Sequence, residues 1–142
     1  MDVSVQIFLP CVAMVALTAV VWVRLYVERI GEMQMQRIHP QKLATQAQAR
    51  DVLQRTQAAD NFRNLFEVPM LFYALCLVLA AAGLVSPLFV VGAWIYVALR
   101  ALHSFIHVTY NRVMHRFTVY VASTVLLFGL WAVFAVRLLA RT

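Results

Sequence analysis

The chain has 142 residues, enough for one domain, of which 63% are hydrophobic and 13% charged, against roughly 45–50% and about 25% in ordinary globular domains. With a mean hydropathy of +0.79, a soluble protein of this size has too little interior to hide its apolar side chains. Four glycines, four prolines and two cysteines exclude a collagen-like repeat, a disordered chain and a disulfide scaffold, which leaves the membrane as solvent.

Four apolar blocks follow in chain order. Val3 to Val23 is interrupted only by Ser4, Gln6, Pro10 and Thr18. Between it and the second block lies the longest polar segment, 28–61, where Pro40 fits the first turn of a short helix and the Ala-, Gln- and Arg-rich stretch beyond it favours a further helix. Val68 to Val85 carries no charge and extends an amphipathic start at Phe62. Leu88 to Leu99 continues with polar interruptions to about Val108, and Phe117 to Val136 is the fourth block. About 20 residues at 1.5 Å each cross a hydrocarbon core of roughly 30 Å, and lipid leaves the backbone no partner outside a helix or closed barrel. The sequence therefore predicts one all-α integral membrane domain over 1–142, a bundle of four transmembrane helices at about 3–27, 62–83, 87–108 and 116–139, with a cytoplasmic loop at 28–61.

The basic residues set the orientation. Arg24, Arg29, Arg37, Lys42, Arg50, Arg55, Arg63, Arg100, Arg112 and Arg116 lie at or near the loop side, whereas Arg137 and Arg141 lie on the side of the termini. The positive-inside rule puts the loops in the cytoplasm and both termini outside. The net charge of +6 is then a topology signal, and no nucleic-acid partner is expected. Only Asp2 precedes the first block as a charge, so a cleaved signal peptide is not expected. The absence of a eukaryotic retention or targeting tail points to a bacterial inner membrane. Cys11 and Cys76 fall inside apolar blocks and read as small buried hydrophobes. No metal-ligand spacing such as C-x-x-C or H-E-x-x-H occurs.

Ionisable groups inside membrane helices normally face a bundle interior or an aqueous cavity. Arg24 closes the first predicted helix. Arg63, Asn64 and Glu67 open the second at i, i+1, i+4, a spacing that predicts one shared face in a regular helix. Arg100, His103, Ser104 and His107 end the third at i, i+3, i+4, i+7, and Arg116 and Tyr120 open the fourth at i, i+4 with Ser123 and Thr124 one turn deeper. In this topology all four groups lie at the same depth, which predicts a polar pocket open to the cytoplasm. Taken singly, Arg24, Arg100 and Arg116 also suit snorkelling interfacial anchors, Glu67 a partner for Arg63, and Tyr120 an aromatic-belt residue. A carboxylate and an asparagine beside an arginine are what snorkelling leaves unexplained. Several arginines against one carboxylate predict an anionic ligand held by guanidinium–carboxylate pairs, with Glu67 meeting a positive group such as an amine.

The segment Arg63-Asn64-Leu65-Phe66-Glu67-Val68-Pro69 resembles the second-helix motif of the MAPEG family, the membrane-associated proteins in eicosanoid and glutathione metabolism. Arg100-x-x-His103-x-x-x-His107 and Arg116-x-x-x-Tyr120 resemble the later motifs of that family, in a register closest to its microsomal prostaglandin E synthase branch. The resemblance covers essentially the whole chain. It implies a homotrimer with glutathione, as co-substrate, between neighbouring subunits. Arg63, Asn64 and Glu67 would hold the peptide, with Glu67 near its amine, and Arg24, His103, His107 and Tyr120 would complete the binding site. Arg116 would be the catalytic residue, stabilising the thiolate for attack on a lipophilic electrophile or hydroperoxide arriving from membrane lipid. His107 stands where several members have tyrosine, and Phe117 replaces a serine of the prostaglandin synthase branch, so prostaglandin chemistry is not expected to carry over.

The main alternative is a noncatalytic lipid-binding or scaffold protein of the same fold. A small multidrug transporter fits less well, because Glu67 beside arginines would stay ionised. A haem carrier fits least, because His103 and His107 share one helix face.

Overall fold

The structure, a computed structural model, describes residues 3–141, and 81% of the chain is helical with no strand among the described residues. A four-residue turn, α1 (Val3–Gln6), leads into the long α2 (Phe8–Met35). The loop region holds a 3-10 turn, Pro40–Leu43, and α3 (Gln46–Val52). The second rod is built from α4 (Gln57–Asn64) and α5 (Pro69–Ala81), and the last two are α6 (Pro87–Val108) and α7 (Val113–Leu139). Four helical stretches, Ser4–Met35, Gln57–Ala81, Pro87–Val108 and Val113–Leu139, are long and apolar enough to cross a membrane.

Two expected boundaries need correction. The first helix does not stop near 27: residues 28–35 are mostly good helix formers, and Arg24 pairs with Glu28 one turn on at 2.9 Å. Arg37, in a left-handed conformation (φ 52°), ends it, while Ile38 N–H and Arg37 N–H return to the carbonyls of Met33 and Gln34. The second helix is not continuous over 62–83 either. Pro69 has no N–H to give, and its ring crowds the carbonyl four residues back, so residues 65–68 leave the regular ladder. Phe66 and Glu67 donate instead to the carbonyls three residues back, Arg63 and Asn64, at 2.9 and 3.4 Å.

α6 is the centre of the bundle. Half of its most apolar window is buried, against 22% for the first and last spanning stretches. It packs most extensively on α7 and also meets α2 and α4. Gly92 permits the close approach to α7, since a Cβ there would sit 2.8 Å from a Leu130 methyl. The apolar core joins Ile7, Met14 and Val21 to Phe72, Leu75 and Leu79, to Phe89, Ala93 and Tyr96, and to Leu127, Leu130 and Phe134. These repeats follow the helical period, and the opposite faces leave Val12, Leu77, Val125 and Phe128 among the exposed apolar residues. Such a surface would aggregate in water and suits acyl chains.

The ends of the bundle differ. At the end bearing the termini, Gly83 (φ 61°) closes α5, with Leu84 N–H on Leu79 O and Gly83 N–H on Ala80 O. Arg141 donates to the carbonyls of Ala82 and Gly83, and Arg137 donates to Ser86 Oγ at 2.8 Å. At the loop end, α3 starts in a capping box between Thr45 and Gln48. Glu32 on α2 is 3% exposed, and its carboxylate accepts the backbone N–H groups of Gln54 at 2.7 Å and Arg55 at 3.1 Å. One acidic side chain thus pins the end of the loop to α2.

Charge-assisted bonds of this kind are worth about 1.5–3 kcal/mol each. Glu32→Ala is therefore expected to release the 53–56 segment, seen as faster amide exchange there with the spanning helices unchanged.

Candidate functional site

The buried stripe of α6 runs through Phe89, Ala93, Tyr96 and Val97 and then continues, on the same face, through Arg100, His103, Ser104 and His107. Helical spacing makes this one line. The core therefore turns from apolar to polar at Arg100 without changing face, towards the loop end.

Arg100 is completely buried, so it is not a snorkelling anchor. Its Nη2 donates to the side-chain and backbone oxygens of Asn64 on α4, and its guanidinium lies 5.6 Å from the centre of the Tyr120 ring on α7. The break at 65–68 makes this geometry possible. Asn64 O takes a long 3.4 Å bond from Glu67 N–H, and a second lone pair accepts Arg100 at 3.2 Å. One turn earlier, buried Asn61 accepts a bond from Ser104 Oγ at 3.2 Å. Below Arg100, Tyr96 stacks on Phe72 with ring centres 4.7 Å apart.

Arg116 forms the outer part of the cluster. Its Nη1 donates to His107 Nε2 at 3.1 Å and to Asn111 Oδ1 at 2.9 Å. A guanidinium can only donate, so His107 accepts through Nε2. His103 Nδ1 lies 3.2 Å from Arg116 O and, facing a carbonyl, is the donor there. The His103 ring sits 5.8 Å from both the His107 and Tyr120 rings. Asn111 is held in a left-handed conformation (φ 46°) in the turn between α6 and α7. Arg116 is only partly buried, and its bonds to His107 and Asn111 both run through Nη1.

The expected site residues thus separate into three groups. Asn64, His103, His107, Arg116 and Tyr120 converge in one chain. Arg24 reaches the edge: it pairs with Glu28 and donates from Nη2 to Val108 O at 2.8 Å, next in sequence to His107, as a cation on the carboxyl end of α6. Glu67 is exposed and within electrostatic reach of Arg100. Arg63 is not on the face of Asn64. It lines a separate cleft with Arg29, Arg55 and Asp60, because successive residues of α4 diverge by about 100° and the Pro69 break displaces Glu67 from the regular spacing.

Asn61 and Tyr96 carry no site role in the sequence-based expectation, and Arg100 was expected in the polar pocket but without a ligand role. Arg100, as the hub, was legible in principle, because it continues the 89–93–96–97 repeat inward. Asn61 lies one turn before Asn64 on the same face. Tyr96 precedes Arg100 by one turn and reads as one more core aromatic.

Buried polar atoms normally have partners. Here Arg100 Nε and Nη1, Tyr96 Oη, Asn61 Nδ2, His103 Nε2 and His107 Nδ1 have none among the described residues. Except for His103 Nε2, an acceptor when Nδ1 carries the proton, these atoms can donate, so the cluster holds buried donors beyond those its own acceptors use. The set is cationic, with the carboxylate of Glu67 within electrostatic reach of Arg100. Among the described residues no group of His, Cys, Asp and Glu has the makings of a metal centre.

Asn64→Leu removes the side-chain acceptor of a buried guanidinium. A loss of about 1.5–3 kcal/mol is expected, measured as a lower thermal midpoint of the detergent-solubilised protein.

Among protein-family models, the one described as MAPEG family matches residues 7–136. Comparison with curated proteins and with solved structures gave no match.

Proposed function

Since the chain belongs to the MAPEG family, an integral membrane family that includes glutathione-dependent enzymes, we propose that it binds glutathione at the Arg100–Arg116 cluster and activates it as a thiolate. The thiolate then attacks a lipophilic electrophile or hydroperoxide that enters from the bilayer. The observation that carries this reading is the state of Arg116. One nitrogen is fixed by His107 and Asn111, the side chain is part-exposed, and the rest of the fork is available to sulfur.

The electrostatics are simple. A free thiol titrates near 8.5 and is only a few per cent ionised at pH 7. A positioned guanidinium in a water-poor site favours the anion. Bringing the bound thiol to about 6.5 requires roughly 2.7 kcal/mol of differential stabilisation, within reach of one charge-assisted contact in such surroundings. Tyr120 and His103 hold the geometry around Arg100 and Arg116. Glu67 receives the glutathione amine, and Asn64, which anchors the buried Arg100, borders the bound peptide.

The assembly in this reading is a homotrimer with glutathione between subunits, and Arg24, at the rim of the cluster, faces the shared boundary. The loop end, which carries ten of the twelve basic residues, is cytoplasmic by the positive-inside rule. Prostaglandin isomerisation is not part of the reading: His107 accepts from Arg116 where a tyrosine hydroxyl is the family alternative, and Phe117 is 59% exposed.

The test is ultraviolet difference spectroscopy of the purified protein titrated with glutathione, following thiolate absorbance. The bound thiol is expected to be half-ionised near pH 6.5, about two pH units below the free tripeptide. The signal is fully developed above that pH and lost as pH falls through it. Arg116→Ala should abolish it and reduce turnover more than affinity, whereas Glu67→Ala should weaken binding. Binding without a thiolate signal would instead support a noncatalytic protein of this fold, and no binding would remove the cluster as a glutathione site.

A further inference from the structure

α4 has two working faces. Asn61 and Asn64 turn towards α6, while Asp60, Phe62 and Arg63 line a cleft of about 420 Å³ bounded by the end of α2 and by α3. That volume lies within the roughly 300–1,000 Å³ of small-molecule sites. Three arginines, Arg29, Arg55 and Arg63, line the cleft, with Asp60 as the one acidic residue of the lining. Leu53 and Phe66 supply apolar wall, and Phe62 and Phe66 are themselves paired at 5.0 Å. The cleft therefore combines an excess of basic residues with a partly apolar lining.

Its depth is marked by aromatic residues. Trp22 and Tyr26 are one turn apart on α2 with ring centres 4.9 Å apart, and they are 49% and 42% exposed. Exposed Trp and Tyr near the end of a spanning helix sit at headgroup level. Tyr26 lines the cleft, and Arg29 follows it by less than a turn. The wall opposite is preformed, because the Glu32 carboxylate holds the backbone N–H of Arg55 and so fixes where that side chain originates.

We propose that this cleft binds an anionic phospholipid of the surrounding bilayer. The phosphate pairs with Arg29, Arg55 and Arg63, and an acyl chain leaves along Leu53 and Phe66. Arginine matches phosphate oxygens in bidentate geometry, and basic pockets at headgroup depth select anionic lipids. Asp60 disfavours a bare phosphomonoester and can accept from a headgroup hydroxyl, which makes a glycerol headgroup the best fit. Arg29 and Arg55 are outside the glutathione cluster, so variants at these two positions test this site separately from the thiolate reading.

Native mass spectrometry of the full-length protein, released from detergent after equilibration with phosphatidylglycerol or phosphatidylcholine, tests it. Phosphatidylglycerol is expected to be retained preferentially. The Arg29→Gln/Arg55→Gln double variant should lose that retention by roughly tenfold or more while keeping the Arg116-dependent thiolate signal. A second variant, Leu53→Ser, should weaken retention of the intact lipid with the charges in place. Equal retention of both lipids, or undiminished phosphatidylglycerol binding in the double variant, would overturn the proposal. So would competition by sn-glycerol 3-phosphate as effective as that of the lipid, which would mean a free-phosphate site, or displacement by glutathione, which would assign the cleft to the tripeptide. Loss of the thiolate signal in the wild type with lipid retention intact would instead strike only the glutathione reading.

Discussion

A fully buried guanidinium in a bundle of apolar helices is the constraint around which this protein is organised. Taking a charge out of water costs several kcal/mol even after relaxation, and the bilayer offers no compensation. Arg100 receives it from α4, through both oxygens of Asn64, and from the face of Tyr120 on α7. Three helices are thereby held in one register at one depth. The acceptor on α4 depends in turn on Pro69, which interrupts the ladder and leaves the Asn64 carbonyl able to take a second donor. A proline that looks like a defect in a spanning helix supplies the geometry on which the polar core rests.

The arginines show how one residue type is divided among different tasks. Arg24 and Arg141 act on helix carboxyl ends, where unpaired carbonyls and the macrodipole favour a cation. Arg137 packs over Phe89 at 5.2 Å and bonds Ser86 at the start of α6. Arg100 is core. Arg116 is half-anchored and half-open, the condition suited to recognising an anion that arrives and leaves. Arg29, Arg55 and Arg63 line the outer cleft. Their electrostatic worth differs with burial: a guanidinium in water-poor surroundings acts on a partner far more strongly than a solvated one. The proposed thiol activation accordingly uses the Arg100–Arg116 cluster, and the proposed lipid recognition the outer cleft.

The loop region connects the two sites. Glu32, more than a turn beyond the Arg24–Glu28 pair, fixes the chain at Arg55, and that anchor orients both the cleft wall and the start of α4. Because α4 presents asparagines to α6 and an arginine to the cleft, a shift of this short helix would be felt on both faces. Its attachment by Glu32 on one side and Arg100 on the other keeps the two sites in fixed relation.

Much of this was legible in the sequence. The four spans follow from hydropathy because satisfying the backbone in lipid is a constraint along the chain alone. The common depth of the polar groups follows from helix lengths and alternating direction. The stripe 100–103–104–107 followed from the 3.6-residue period, and it is a single buried face. What the sequence could not decide depended on neighbours. An arginine near a helix end reads the same whether it snorkels or is buried, and only the packing of α4 and α7 on α6 put Arg100 inside. Arg63 and Asn64 are adjacent in sequence, but they look into different spaces because α4 packs on both α2 and α6. Glu32 had no local signal at all, since its partners are backbone N–H groups more than twenty residues away. The sequence determined which residues are polar and at what depth they lie, through periodicities that each helix carries by itself. The tertiary structure decided which of them are buried together, because that depends on which helix faces which.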